Sequence, residues 1–142
     1  MKTIKLWLTT IATLWCSLTA SAYDFYANGI RYNITSETTV SVTYNDSVVS
    51  RGSVYFNFHT KYSGSVVIPS TVTNGSKTYS VTSFRNNAFR DCKSLTSITL
   101  PEGVTSIGNN AFRDCESLTA ITIPKTVTII GVEAYSWCSS LT

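Results

Sequence analysis

The sequence predicts a repeat solenoid, with one parallel strand and one short helix in each 23-residue coil, preceded by a β-rich N-terminal cap. Three observations carry this. A unit of 23 residues runs from Val81 to Gly103, again from Val104 to Thr126, and a third time from Val127 to Thr142, where the sequence stops inside the copy. The stretches Asn86-Asn87-Ala88-Phe89-Arg90-Asp91-Cys92 and Asn109-Asn110-Ala111-Phe112-Arg113-Asp114-Cys115 repeat the same peptide, with a Leu, an Ile and a Pro following at matching offsets. Self-similarity at such a period marks stacked units, none of which can bury its apolar face alone. The segment from Tyr23 to Ser65, by contrast, lacks the phase and reads as short strands.

In chain order, residues 1–22 have the build of a secretory signal peptide: Lys2 and Lys5, an apolar run from Leu6 to Leu18, and Ala20-Ser21-Ala22 as a small-residue cleavage site before Tyr23. A spanning helix would need about 20 predominantly apolar residues. Lipoprotein processing at Cys16 is disfavoured by the bulky Trp15 before it. Residues 23–65 then form the expected cap. Asn28-Gly29 between alternating residues is a hairpin signal, Val40, Val42 and Tyr44 alternate before a turn at Asn45-Asp46, and Val54 to Phe58 is a further strand. A second Asn-Gly, Asn74-Gly75, suggests a hairpin projecting from the first coil of the repeat region, which is taken as 66–142.

In the second copy Leu118, Ile121 and Ile123 have the L-x-x-L-x-L spacing of a half-buried strand, ended by Pro124, which fixes φ and has no N–H to give. Val104 and Ile107 begin the copy as a short extended piece, and Gly108 permits a bend. Ala111 and Cys115, four apart with Phe112 beside them, predict a turn or two of helix, too short to stand alone. Phe89, Phe112 and Tyr135 share one phase, as do Leu95, Leu118 and Leu141, so each coil covers the next.

The order Ile107-Gly108-Asn109-Asn110-Ala111-Phe112, Cys115, Leu118, Ile121, Ile123-Pro124 resembles the BspA-type, or treponemal-type, leucine-rich repeat. Phe84 and Arg85 in the first copy and Tyr135 in the third depart from it, and Val66, Ile68, Pro69 and Val72 echo its strand–Pro–Val segment a turn earlier. The resemblance implies a leucine-rich-repeat fold and an exported protein of bacterial mucosal communities. It further implies surface adhesion to host matrix proteins or other cells.

Composition narrows the function classes. Without Lys2 and Lys5 the mature chain holds 9 basic and 8 acidic residues, a net charge of +1. Phosphate-backbone binding needs clustered Lys and Arg, so nucleic acid is not expected as a partner, nor is insertion into a membrane after the signal is removed. Cys92, Cys115 and Cys138 lie one period apart and therefore point the same way, which predicts a packed thiol column rather than disulfides or a zinc site. His59 is the single His and sits at a strand end of the cap. Asp91 and Asp114 beside Arg90 and Arg113, and Glu116 one coil from Lys93, read as surface ion pairs. No enzyme is expected, and no cofactor or metal.

A binding face is the stronger expectation. The strand offers Thr96, Ser97 and Thr99, then Thr119, Ala120 and Thr122, as a small neutral ladder, although Ser and Thr are also simply good strand formers. Arg90 and Arg113 form a more polar column. Tyr44, Tyr55 and Tyr62 would suit protein or glycan contact wherever they are exposed. The rival readings are a passive assembly module, or a truncated fragment, and a glycan-binding accessory protein; with Trp137 the one Trp after the leader, the glycan reading is the weaker. Asn33, Asn45 and Asn74 head sequons, and Asp46-Ser47-Val48 resembles a bacterial O-glycosylation acceptor.

Overall fold

The computed structural model describes residues 23–44 and 62–142. Strands β1 (Phe25–Ala27) and β2 (Ile30–Ile34) form an antiparallel hairpin. Asn28 and Gly29 join them with φ of 50° and 81°, the left-handed pair that a two-residue turn matched to strand twist requires. Strand β3 (Thr39–Thr43) returns antiparallel to β2 and places Tyr32 opposite Val42. Ile30 and Tyr32 are buried on one face of β2 as period-two alternation demands, while β3 is enclosed on both faces, with Val40, Ser41, Val42 and Thr43 all buried. The strand expected at Val54–Phe58, the turn at Asn45-Asp46, His59 and Tyr55 lie outside the described residues.

Strands β4 (Gly64–Val67), β5 (Thr71–Asn74) and β6 (Lys77–Phe84) follow. β5 and β6 pair antiparallel about Gly75-Ser76, with Gly75 at φ 62°, so the second Asn-Gly does mark a hairpin. The far half of β6 lies between β3 and β8 (Ser106–Ile107), parallel to both, and β8 is followed by β10 (Ile129–Ile130). The larger sheet thus runs β1-β2-β3-β6-β8-β10, with β5 on β6. A second, all-parallel sheet stacks β4, β7 (Leu95–Thr99) and β9 (Ala120–Thr122). Its pairing of Ile98 with Ile121 spans 23 residues, so residues one period apart are neighbours in space.

The core lies between the two sheets and the turn segments. Tyr62, Phe89, Phe112 and Tyr135 make a column of rings, with centroids 4.5, 5.4 and 5.5 Å apart down the stack. Phe89, Leu95, Ile107, Phe112 and Leu118 are wholly enclosed, each worth roughly 1.5–3 kcal/mol of burial. Tyr62 is therefore no exposed contact aromatic: it packs on Phe89, accepts a 3.2 Å hydrogen bond from Arg31 N–H, and burial pushes its phenol up.

The expected short helix is absent among the described residues. At Asn87 to Cys92 and Asn110 to Cys115 the chain makes consecutive turns, in which the N–H groups of Arg90 and Cys92 donate three residues back. Those of Asn87, Phe89 and Asp91 instead donate to the carbonyls of Asn109, Ala111 and Arg113 in the next repeat, and those of Asn110, Phe112 and Asp114 to Val132, Ala134 and Ser136 in the one after. Asn87, Asp91, Asn110 and Asp114 all have φ near +60°. A helix would point its N–H groups along its own axis and forbid positive φ, whereas the left-handed residues turn alternate N–H groups along the stack. Asn and Asp tolerate that conformation better than most side chains.

Gly108 does not serve the bend by its φ. A Cβ there would stand 2.5 Å from Asn86 N and 2.6 Å from Arg85 C, so glycine is needed for close approach of successive repeats. Gly131 meets Asn109 N and Gly108 C in the same way. Arg85, at the equivalent place, faces the end of β3, where its N–H donates to Val42 O at 2.8 Å.

Candidate binding surface

The parallel sheet β4-β7-β9 presents one edge-to-edge strip. Ile98 is buried and Ile121 packs partly against the core, so their neighbours in each strand must face away. Register puts Ser65, Ser97 and Ala120 in one row, and Val67, Thr99 and Thr122 in the next. Thr96, Thr99, Thr119, Ala120 and Thr122 are exposed, while Ser97 is half-buried. Ser97 Oγ donates to Ser65 Oγ at 2.8 Å, and Thr119 Oγ1 donates to Thr96 O at 3.1 Å. The strip is thus flat and uncharged, with part of its hydroxyl capacity already used along the stack. Sequence reading missed Ser65 and Val67 as members; the echo at Val66 and Ile68 was the available signal.

Arg90 and Arg113 lie on the turn side, apart from that strip in the chain path of each repeat. Arg90 Nε is 3.7 Å from Asp91 Oδ2, and Arg113 Nε is 3.4 Å from Asp114 Oδ2. Arg113 Nη1 also binds Glu133 Oε2. Lys93 Nζ donates to Glu116 Oε1 at 2.5 Å, a bond that raises the Lys93 ammonium above its usual range. The ion pairs read from the sequence are therefore present, and the guanidinium charges are largely answered within the chain.

Two further ladders hold the turn side. Asn86 Oδ1 accepts from Asn109 N–H, and Asn109 Oδ1 from Val132 N–H, both at 2.9 Å. The signal for these amides was their recurrence at one phase, but sequence alone did not distinguish a backbone partner from an exposed side chain. Cys115 Sγ donates to Phe89 O and Cys138 Sγ to Phe112 O, both at 3.1 Å. Cys92, Cys115 and Cys138 form no disulfide. The adjoining Cys92 sulfur and burial hold the Cys115 thiol far above its ordinary range, and burial raises Cys138. Cys115 and Cys138 are thus protonated packing thiols, poor nucleophiles and poor metal ligands. Among the described residues no three His, Cys, Asp or Glu are placed to hold a metal ion, and no helix is long and apolar enough to cross a membrane. What the arrangement offers chemically is hydrogen bonding and apolar contact along repeated rows.

Comparison with known proteins agrees with the geometry. The BspA type leucine rich repeat region matches residues 73–142. No protein of curated function matches in sequence. Among solved structures, a leucine-rich repeat protein from Bacteroides ovatus is 34% identical with a TM-score of 0.70, over 84% of this chain and 28% of that one. A leucine-rich cell surface protein from Faecalibacterium prausnitzii is 29% identical with a TM-score of 0.66, over 86% and 30%. A leucine-rich repeat protein from Bacteroides capillosus is 26% identical with a TM-score of 0.65, over 83% and 78%. The chain spans less than a third of the length of the first two. With inter-repeat bonds at the expected phase and this likeness together, the chain belongs to the BspA-type leucine-rich repeat family.

Proposed function

We propose that this chain is an exported surface protein that acts by binding another protein, on a host matrix or on another cell, through the strand strip of its repeats, with no catalysis of its own. The observation that carries this is the strip itself: Ser97 and Thr99 stand in register with Ala120 and Thr122 on a parallel sheet whose other side packs on the core, and Thr96, Thr99, Thr119, Ala120 and Thr122 are exposed. A rigid, uncharged surface of small side chains lets a partner backbone approach closely and costs little side-chain entropy on binding. The leader-like residues 1–22 and the likeness to a cell surface protein support the location. In the same reading residues 66–142 are a solenoid and residues 23–65 its N-terminal cap, because β3 stands beside β6 where an earlier repeat would lie.

The test is binding of the mature chain to immobilised matrix proteins, whole cells and glycan panels, repeated with Thr99→Glu and Thr122→Glu. Binding to a protein or cell surface that falls at least tenfold in the double variant is expected. Binding unaffected by the two changes rejects the strip, and binding to nothing leaves a passive assembly module.

A further inference from the structure

The close stacking of the turn side opens where the cap meets the first repeat. Gly108 and Gly131 let the segments at Asn86 and Asn109 press against them. At the equivalent place in the first repeat stands Arg85, and what precedes it is the end of β3 rather than another turn segment of the repeat. Arg85 N–H is anchored on Val42 O, and two residues beyond Val42 the chain reaches Tyr44. A recess of about 300 Å³ lies there, lined by Tyr44, Arg85, Asn86 and Asn87. That volume is at the lower end of small-ligand sites, room for one ring.

The lining says which ligand fits. Arg90, Lys93 and Arg113 are each paired with a carboxylate of the chain, and Arg85 is in none of those pairs. Its guanidinium is therefore a planar cation still open to an anion. The backbone N–H groups of Arg85, Asn87 and Ala88 are already given to the carbonyls of Val42, Asn109 and Arg85, so no nest of free N–H groups awaits a phosphate. Asn86 spends its amide oxygen on Asn109 N–H, which leaves its NH2 to offer. Asn87 Oδ1 is enclosed without a partner, but Asn110 Oδ1 shares that condition, so the orphan belongs to the repeat and Arg85 is what sets this place apart. One guanidinium answers one carboxylate, and amide and phenol groups answer hydroxyls. We propose that the recess binds a sugar acid, its carboxylate on Arg85 and its ring hydroxyls on Asn86, Asn87 and Tyr44. The recess belongs to the end of the larger sheet and the strand strip to the other sheet, so this inference and the proposed function fail independently.

The test is a titration of the nitrogen-15-labelled mature chain with D-glucuronate, followed by two-dimensional NMR. Concentrations from roughly 0.1 to 20 mM cover the range in which one sugar ring held by a few hydrogen bonds saturates a site. Saturating shifts of the Arg85 Nε–H and of the Asn86 and Asn87 side-chain NH2 signals are expected, with none at Thr99 or Thr122. Arg85→Ala should weaken binding at least about tenfold, and Arg85→Lys, which keeps the charge but loses the planar fork, by less. The amide spectrum of each variant checks that the fold holds. Glucose lacks the carboxylate and acetate lacks the hydroxyls, so each should bind at least about tenfold more weakly than glucuronate. Absence of shifts at these residues overturns the proposal, as does binding that survives Arg85→Ala. Acetate bound as well as glucuronate overturns the sugar, and inorganic phosphate bound more tightly overturns the carboxylate. With glucuronate bound, a trigalacturonate that binds at the same residues assigns the site to the end of a glycan, and one that fails assigns it to the free sugar acid.

Discussion

On the strand side of each repeat, Ser97, Ile98 and Thr99 meet Ala120, Ile121 and Thr122 through an ordinary parallel ladder, in which any extended residue can take part. On the turn side the same stacking is achieved by irregular backbone. Left-handed Asn and Asp aim alternate N–H groups at the next repeat, an Asn amide and a Cys thiol reach across, and glycine lets the chains touch. The strand side asks for a pattern, whereas the turn side asks for particular residues. Asn-Asn-Ala-Phe-Arg-Asp-Cys accordingly recurs unchanged in the first two copies, while the strand varies from Thr-Ser-Ile-Thr-Leu to Thr-Ala-Ile-Thr-Ile; in the third copy, Val-Glu-Ala-Tyr-Ser-Trp-Cys, Glu133 and Trp137 take the left-handed φ and the Ala and Cys are kept. The difference also makes the strand side the freer place to carry specificity.

Substitutions should separate the two sides, beginning with the ring column. Phe112→Ala, removing a ring stacked between Phe89 and Tyr135, is expected to lower unfolding free energy in urea by about 3–5 kcal/mol. Gly108→Ala should cost about 1–3 kcal/mol because the neighbouring backbone must move, while Arg85→Ala stays within about 0.5 kcal/mol. Equal effects at the two positions would break the account of close approach.

Alkali tests the thiol ladder. Cys115 and Cys138 are raised in the folded chain above the ordinary 9.0, and Tyr32 and Tyr135 are pushed up to about 12. The unfolded chain therefore loses these protons first. Stability is complete below about pH 9 and falls above it, by up to about 1.4 kcal/mol per pH unit for the buried Cys115 thiol and by less for the more exposed Cys138. In native protein a thiol reagent should modify the half-buried Cys138 well before Cys115; equal rates would mean the column is not closed.

The smallest effects sharpen the contrast. Asn109→Ala, which orphans Val132 N–H, should cost about 1 kcal/mol, against within about 0.5 kcal/mol for Thr122→Ala on the strip. Comparable losses would show that the strip is structural and leave less room for it as a binding face.

The repeat phase, the ring and leucine columns, both Asn-Gly hairpins and the packed cysteines were legible because each depends on spacing or on one residue's φ preference. The helix expected at Ala111 and Cys115 was misread for a definite reason. Apolar residues four apart fit a helix, but they fit equally a turn whose N–H groups leave the segment, and no spacing within one copy records the second arrangement. Thr96, Ser97, Thr99, Thr119, Ala120 and Thr122 were expected as a ladder from their equivalent places in the repeat, whereas Ser65 and Val67 join the same rows only through inter-strand register. Whether Tyr62 is exposed was not legible in the sequence, and its place on Phe89 decides it.

By itself, then, the sequence determined the period, which side chains share a column, and the two Asn-Gly turns, since these follow from residue types at fixed offsets. The tertiary structure alone decided how backbone groups are satisfied between repeats and which polar positions remain open. Those outcomes depend on the repeat above and the repeat below, and a hydrogen bond or a buried edge exists only once both partners are in place.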